Sequence, residues 1–480
     1  MLLGIDQGTS GTSVLALDEA FKLVARAYRP VHSRHPRPGW VEQDPDQIIQ
    51  TVVEAVGEVL GQVGGAGAVR AAGLTNQGES VLVWDHQTGK ALTPVVVWSD
   101  RRAAGIAEDL NRRGLGGRVR RLTGLELSDY FCASKYAWLL RENPEVRKAA
   151  GEGRLCLGTL EAWMALRLSG QAFSDQSTAS RTQLAYLKSG QWDTELLEVF
   201  GVPLEALPEI RPSLYRHGSL YHPDWGDEIP WWASLVDQPA ALAGSGCLGQ
   251  GQLKITYGTG CFVLVNAGHA APEPGEAMLA SIAWSDAGRK TYALDGGVFT
   301  AATAVNWLVE LGLAGSPEQT SALAEASRDL SVRFLPAFTG LGAPWWDAGA
   351  RGVFAGLTAG TTRADLVRAV LDGIALRVCD IVRASGHQRQ SIRVDGGLSN
   401  SPYLMQRQAD LLGIPLELSG QTEATAFGAA ILAGRAAGLV DLGQVPFTVQ
   451  KRYEPRLSDS GREAEYAAWL EWLEAARRLP

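Results

Sequence analysis

The stretch GIDQGTSGTSVLALD, residues 4–18, sets one carboxylate, Asp6, against a run of Gly, Thr, Ser and Gln between apolar flanks. That run holds more glycine and hydroxyl residues than a two-residue hairpin needs. Around Gly8, Thr9 and Ser10 it can turn several backbone N–H groups and side-chain hydroxyls toward one point, a concavity suited to phosphate oxygens. Asp6, ending the first strand beside it, is placed to hold Mg²⁺ directly or through water, because hard cations take oxygen ligands. Capping the turn is the other use of an aspartate there. The pair Gly8-Thr9 recurs as Gly258-Thr259 in TYGTGCFVLVN, about half a chain length later, and each copy runs into an apolar strand. Such spacing suggests a duplicated domain, two unrelated Gly-Thr hairpins being the alternative. Two hairpins facing across a cleft would grip a polyphosphate. A further pair, Gly396-Gly397 in RVDGGLSNSPYLMQRQADLLG, follows an apolar strand. Without Cβ atoms a flat ring can approach the backbone closely, which suits adenosine; the turn into the helix at Ser401-Pro402 is the simpler need.

The elements that must position these residues are legible around them. Residues 2–6, 14–17 and 22–28 read as short strands of an antiparallel meander. In DPDQIIQTVVEAVGEVL the period changes: Asp44 is an N-cap, Pro45 suits the first helical position, and Ile49, Val52, Val56 and Val59 form one apolar stripe. AAGLTNQ and SVLVWD return to strand. Strands mixed with helices in this order predict an α/β sheet with helices on its faces. A domain boundary is expected near residues 235–250, where DQPAALAGSGCLGQG turns to small residues and glycine.

Composition narrows the class. The chain has 480 residues, 46% hydrophobic and 20% charged, a globular mix long enough for two domains with their own cores. No apolar run reaches the length of a transmembrane helix and the N-terminus carries no basic leader, so a cytoplasmic protein is expected. The five cysteines are widely spaced with apolar neighbours and no CxxC pair, which fits buried free thiols rather than a disulfide framework or a zinc site. A net charge of −8 argues against nucleic acid as a partner. The one dense basic stretch, RRGLGGRVRRLTG at 112–124, reads as a solvated loop.

Seven stretches in order, GIDQGTS, GWVEQDP, GLTNQGE, TYGTGCF, FTGLGAPWWD, GVFAGLTAGTTRADLVRAVLDGIA and RVDGGLSNSPYLMQRQADLLG, resemble the motifs of the FGGY carbohydrate kinases, most closely their glycerol kinase branch. The resemblance runs from residue 3 to about residue 471. It implies an α/β fold of two duplicated domains of the actin and hexokinase (ribonuclease H-like) type with an interdomain cleft, here residues 1–243 on the substrate and Mg²⁺ side and 244–480 on the nucleotide side. It implies ATP and Mg²⁺ as cofactors, phosphorylation of a terminal hydroxyl of a small polyol or sugar, no nucleic acid or membrane partner, and a homodimer or homotetramer by analogy. Asp237, in SLVDQPAALAG, takes the position of the catalytic base and stands with Asp6 on the metal side. A hydroxyl attacking the γ-phosphate must lose its proton to an acceptor within hydrogen-bond reach. Gly78, Glu79, Trp98, Tyr130, Asp237, Gln238 and Phe262 are similar to the polyol site, with polar groups for the hydroxyls and aromatic faces for C–H edges. Gly8, Thr9, Ser10, Thr259, Gly260, Ala302, Asn306, Gly396, Gly397, Asn400 and Ser401 fall at the nucleotide contacts.

Several positions depart from the pattern. Glycerol kinases have Arg where Gly78 stands, so a five-donor group is missing from the expected site. Either the substrate differs or another side chain supplies the contact. Ser13 replaces an Arg after the first hairpin. Val236 and Pro239 bracket the Asp-Gln pair where the family has GDQQ, and Ala302 and Asn306 replace Gly and Gln. A ketose such as xylulose or ribulose is the alternative substrate, and a non-catalytic nucleotide- or sugar-binding regulator is the alternative class.

Overall fold

The computed structural model describes residues 1–273, 275, 277–286, 288–386 and 391–479. Thirteen strands share one sheet: β1 (Leu2–Gln7), β2 (Gly11–Leu17), β3 (Leu23–Pro30), β4 (Ala71–Asn76), β5 (Leu214–Leu220), β6 (Ile229–Val236), β7 (Leu253–Tyr257), β8 (Cys261–Gly268), β9 (Leu279–Asp286), β10 (Arg289–Val298), β11 (Ile392–Asp395), β12 (Leu416–Ser419) and β13 (Val449–Tyr453). Their order is β13-β12-β11-β7-β8-β10-β9-β5-β6-β4-β1-β2-β3.

That order contains one pattern twice. β1, β2 and β3 pair antiparallel, and β4 and then β6 extend the sheet in parallel beyond β1. β7, β8 and β10 likewise pair antiparallel, with β11 and then β12 in parallel beyond β7. The repeated Gly-Thr pairs turn the first hairpin of each copy, and Leu214 on β5 pairs with Asp286 on β9 where the copies join.

Helices cover both faces, which is why the parallel strands are largely buried, Ala71–Asn76 along its whole length. In α1 (Pro45–Val63) the Asp44 carboxylate accepts from the N–H groups of Asp46 and Gln47, and Pro45 opens the first turn. All four residues of the expected stripe are buried, together with Ile48, Val53 and Leu60. Short helix α2 (Gln176–Ser180) is capped by Asp175. α3 (Asp237–Gly244) follows β6, α4 (Ala302–Glu310) follows β10, and α5 (Ala424–Ala436) follows β12.

α3 and α5 cross with their backbones in contact. A Cβ on Gly244 would lie 1.8 Å from the Ala424 carbonyl oxygen, and one on Gly428 1.9 Å from that of Ala240. Only glycine fits at either position, so part of the small-residue run at 235–250 serves a helix crossing.

All five cysteines are buried and unpaired. Among the described residues no helix is long and apolar enough to cross a membrane. The basic stretch differs from expectation. Its second half is a helix, Gly116–Thr123, because Val119 and Thr123 supply a buried side, while exposed Arg118 pairs with Glu195 and half-buried Arg120 with Glu126.

Candidate active site

Asp6 and Asp237 leave the same edge of the sheet. Asp6 on β1 is level with Thr75 on β4, and Leu235 on β6 is level with the same threonine from the other side. Thr75 Oγ1 donates to Asp6 Oδ1 at 2.9 Å. Burial, opposed by that hydrogen bond, pushes the Asp6 carboxyl up to about 6. Burial, then the charges of Asp6 and Glu79, pushes Asp237 up to about 7. The second half of the chain reaches the pair from two sides: the Glu423 charge raises Asp6, and Lys254 on β7 lowers Asp237. Across the first hairpin Asp6 is level with Ser13, so a neutral hydroxyl stands beside it where the resemblance implies a cation.

Asp237 is the first residue of α3, and its Oδ1 accepts from the Gln238 N–H at 2.6 Å. Gln238 is exposed. Pro239 lies in the first turn of the helix, where a missing N–H breaks no intrahelical hydrogen bond, so the departure at this position is neutral for the backbone.

The first hairpin closes with the Gly8 N–H on the Gly11 carbonyl at 2.9 Å and rests on buried amides. Gln43 Nε2 donates to the Thr9 carbonyl at 2.7 Å, and Gln77 Nε2 donates to Gln43 Oε1 at 2.8 Å. Trp98 Nε1 donates to Thr9 Oγ1 at 2.9 Å, and the Trp98 ring meets Tyr130 edge to face at 5.7 Å. Thr9 thus joins the hairpin to the aromatic wall of the expected polyol pocket, while Ser10 remains exposed.

Glu79 lies between β4 and the strand Val81–Asp85, buried, with φ +57°. A left-handed glutamate is uncommon, and here it is held by an ion pair: Arg181 Nε donates to Glu79 Oε1 at 2.6 Å. Arg181 Nη1 donates to Asp295 Oδ1 at 3.2 Å. Tyr130 lies within electrostatic reach of Glu79, Arg181, Asp295 and Asp237, with burial the larger cause of its raised phenol pKa. Phe262 on β8 is level with Gly297 on β10, two residues beyond Asp295 on the same face. Glu79, Tyr130 and Asp237 thus lie within one another's electrostatic reach at the end of β6, Trp98 joins them through the Tyr130 ring, and Gly78 is buried against Val236.

Of the expected nucleotide residues, Thr259, Gly260 and Ala302 meet at the second hairpin, whereas Gly8, Thr9 and Ser10 belong to the first. Gly258 N–H donates to the Gly260 carbonyl at 2.9 Å, and Ala302 N–H at the start of α4 donates back to the Gly258 carbonyl at 3.2 Å. Thr259 is exposed at the turn, and Asn306, one turn beyond Ala302 on α4, is exposed on the same face. The two glycines after β11 have different reasons. A Cβ on Gly396 would lie 2.5 Å from the Tyr257 carbonyl oxygen, so that glycine lets two backbones touch, whereas Gly397 faces open space. Asn400 ends the exposed turn, and Ser401 caps the next helix through Leu404 N–H while meeting Ser321 Oγ at 2.7 Å.

Four polar residues of the site escape sequence reasoning: Arg181, Asp295, Lys254 and Gln77. Arg181 stands in TASRTQL and Asp295 in ALDGGVF, far apart in sequence and in no catalytic pattern. Lys254 is buried, donates to Thr256 Oγ1 at 2.6 Å and lies 3.7 Å from Asp395. For Lys254 the available signal is a charged residue within an otherwise uncharged strand, which demands a partner.

A duplicated α/β sheet whose hairpins turn on Gly-Thr, with two carboxylates at the ends of the strands that flank β4, defines a phosphotransferase fold of two repeated halves. Residues 1–244 match the N-terminal domain and residues 253–437 the C-terminal domain of the FGGY family of carbohydrate kinases, and the chain belongs to that family. It is 42% identical to a glycerol kinase of Thermus brockianus over 99% of this chain and 98% of that one, and 39% identical to glycerol kinase 2 of Thermotoga maritima over 98% and 97%. Its fold matches the crystal structure of Plasmodium falciparum glycerol kinase with ADP at a TM-score of 0.93 and 29% identity, covering 100% of this chain and 98% of that one. It is a glycerol kinase-like, ATP-dependent phosphotransferase.

Proposed function

We propose that the protein transfers the γ-phosphoryl group of ATP to a terminal hydroxyl of a small polyol of the glycerol class, with Asp237 as the base. The observation that carries this reading is the pairing of Asp6 and Asp237 at the ends of strands flanking β4, each within reach of the other's charge. Two part-buried carboxylates raised toward neutrality, with a threonine hydroxyl on one of them, are a hard oxygen donor set. Among the described residues no cluster of three or more His, Cys, Asp or Glu could hold a metal by itself. One or two carboxylates completed by phosphate oxygens and water is the arrangement Mg²⁺ takes in nucleotide sites, and the residues fit it. Asp6, with Asp237 beside it, would hold that ion, which when bound offsets phosphate charge.

Asp237 accepts the proton of the attacking hydroxyl, whose oxygen forms a bond to phosphorus as the bond to the β-phosphate bridging oxygen breaks and ADP leaves. Gly8, Thr9 and Ser10 on one side, and Thr259 and Gly260 on the other, orient the phosphates through N–H and hydroxyl donors. Gly397, open to approach, with Gly396, Asn400, Ser401, Ala302 and Asn306, forms the nucleoside side. Glu79, Trp98, Tyr130, Gln238 and Phe262 hold the polyol. The halves 1–243 and 244–480 close on the substrates and exclude water. The enzyme works in the cytoplasm, and by analogy with its family as a homodimer or homotetramer.

ADP release measured across a panel of polyols and ketoses, with Asp237→Asn as control, tests the reading. Glycerol-class polyols are expected to stimulate release and the variant to abolish it. Stimulation by xylulose or ribulose alone would move the substrate to ketoses, and unchanged turnover in the variant would refute the base.

A further inference from the structure

Position 78 has no side chain and no room for one. A Cβ there would lie 2.7 Å from Val236 Cγ2, so the valine before Asp237 fills the volume that an arginine at 78 would cross. The two departures are therefore one exchange of volume, and the guanidinium expected beside Glu79 must come from elsewhere or be absent.

Arg181 brings one from the opposite wall. It follows α2 directly, its N–H donating to the Thr178 carbonyl at 3.0 Å, and α2 is fixed in turn by Asp175, whose carboxylate accepts from the Ser177 and Thr178 N–H groups. Arg181 is 8% exposed, and its guanidinium lies 5.3 Å over the Phe131 ring and spends Nε on Glu79 and Nη1 on Asp295. Among the described residues nothing accepts from Nη2. A buried guanidinium with an uncommitted edge, next to Glu79 and Tyr130, is a donor waiting for an acceptor.

We infer that Arg181 is a substrate-binding, specificity-determining residue, which supplies through Nη2 the hydrogen bond to a polyol oxygen that Gly78 cannot. The inference rests on the polyol kinase reading above. Its chemistry defines the ligand: a hydroxyl oxygen accepts from Arg181 while its own proton, or that of the neighbouring hydroxyl, goes to Glu79. Donor and acceptor side by side suit a neutral vicinal diol. A sugar acid is disfavoured, because its carboxylate would meet Glu79 and Asp295 as like charges.

Arg181→Gln and Arg181→Lys, assayed on the full chain with saturating ATP, test this. The expected result is a polyol KM raised about tenfold or more in Arg181→Gln, with the KM for ATP changed less than about twofold. Arg181→Lys should recover part of the loss. Adding Gly78→Arg with Val236→Gly to Arg181→Gln should recover about fivefold of the polyol KM, a gain that a merely structural arginine would not give. An unchanged polyol KM in Arg181→Gln while the wild type turns polyols over would overturn this inference alone. A wild type that phosphorylates no polyol would overturn the preceding reading and this one with it. Should Arg181→Gln fail to fold, a wild-type crystal structure with glycerol decides: Nη2 within about 3.2 Å of a glycerol oxygen supports the assignment, and a separation beyond hydrogen-bond reach rejects it.

Discussion

Trp98 and Thr9 are joined by a 2.9 Å hydrogen bond from the indole N–H to the threonine hydroxyl, so one side chain belongs both to the aromatic wall of the pocket and to the turn expected to meet phosphate. Trp98→Phe keeps the ring and removes the donor. We expect kcat/KM to fall by about five- to tenfold, the usual worth of one hydrogen bond. Thr9→Val should cost a similar factor, and the double variant little more than either, because both remove the same contact. Steady-state kinetics on the four proteins checks this.

Asp237→Asn tests the base. Turnover should fall by about 10²–10⁴-fold, while ATP binding measured by calorimetry persists.

The pH profile follows from the same residue. Burial first, then the charges of Asp6 and Glu79, sets Asp237 near 7, and a base acts only when ionised. kcat/KM for the polyol should therefore climb with pH on a limb with an apparent pKa near 7 and level off above it. The macroscopic value belongs to the pair with Asp6, set near 6, so Asp6→Asn should move the Asp237 titration downward, read by NMR of the carboxyl carbon.

The sign for stability is opposite. Folding raises the pKa of Asp237, so protonation stabilises the folded chain; that contribution is full below about 4, the unfolded value, and is lost as pH rises through about 7. Without ligands, Asp237→Asn should melt roughly 2 °C or more above the wild type at pH 8, with the gain gone at pH 4. Thermal unfolding at the two pH values is the measurement.

Gly428→Ala probes the helix crossing. Its methyl would lie 1.9 Å from the Ala240 carbonyl oxygen, and the obstacle is backbone rather than a movable side chain. A loss of roughly 1–3 kcal/mol is expected, seen as a lower melting temperature, together with reduced kcat because Asp237 starts the helix that is pushed aside.

Local patterns carried much of this protein. Asp44 caps α1 as its type and position imply, the four-residue stripe is buried, and the meander pairs as the alternation predicts. The recurrence of Gly-Thr corresponds to a repeated strand order, and Glu79 sits between the two strands read on either side of it. What escaped was assembled by distant pairing. Arg181 meets Glu79 across 102 positions and Asp295 across 114, separations at which no periodicity operates. Gly396 looked like an opening for a ring, yet its reason is the Tyr257 backbone, which adjoins only because β7 and β11 are neighbours. In the basic stretch, charge density masked Val119 and Thr123, the two residues that fix its helix.

The contact of α3 with α5 sets a mechanical condition on the chemistry. Asp237, the proposed proton acceptor, begins a rod whose far end bears, main chain on main chain, against a rod from the second half of the sequence. A bearing of this kind has no flexible side chains to absorb slack, so on the proposed function a shift of α5 reaches Asp237 through main chain alone, and a spare methyl at the crossing would throw the acceptor out of true.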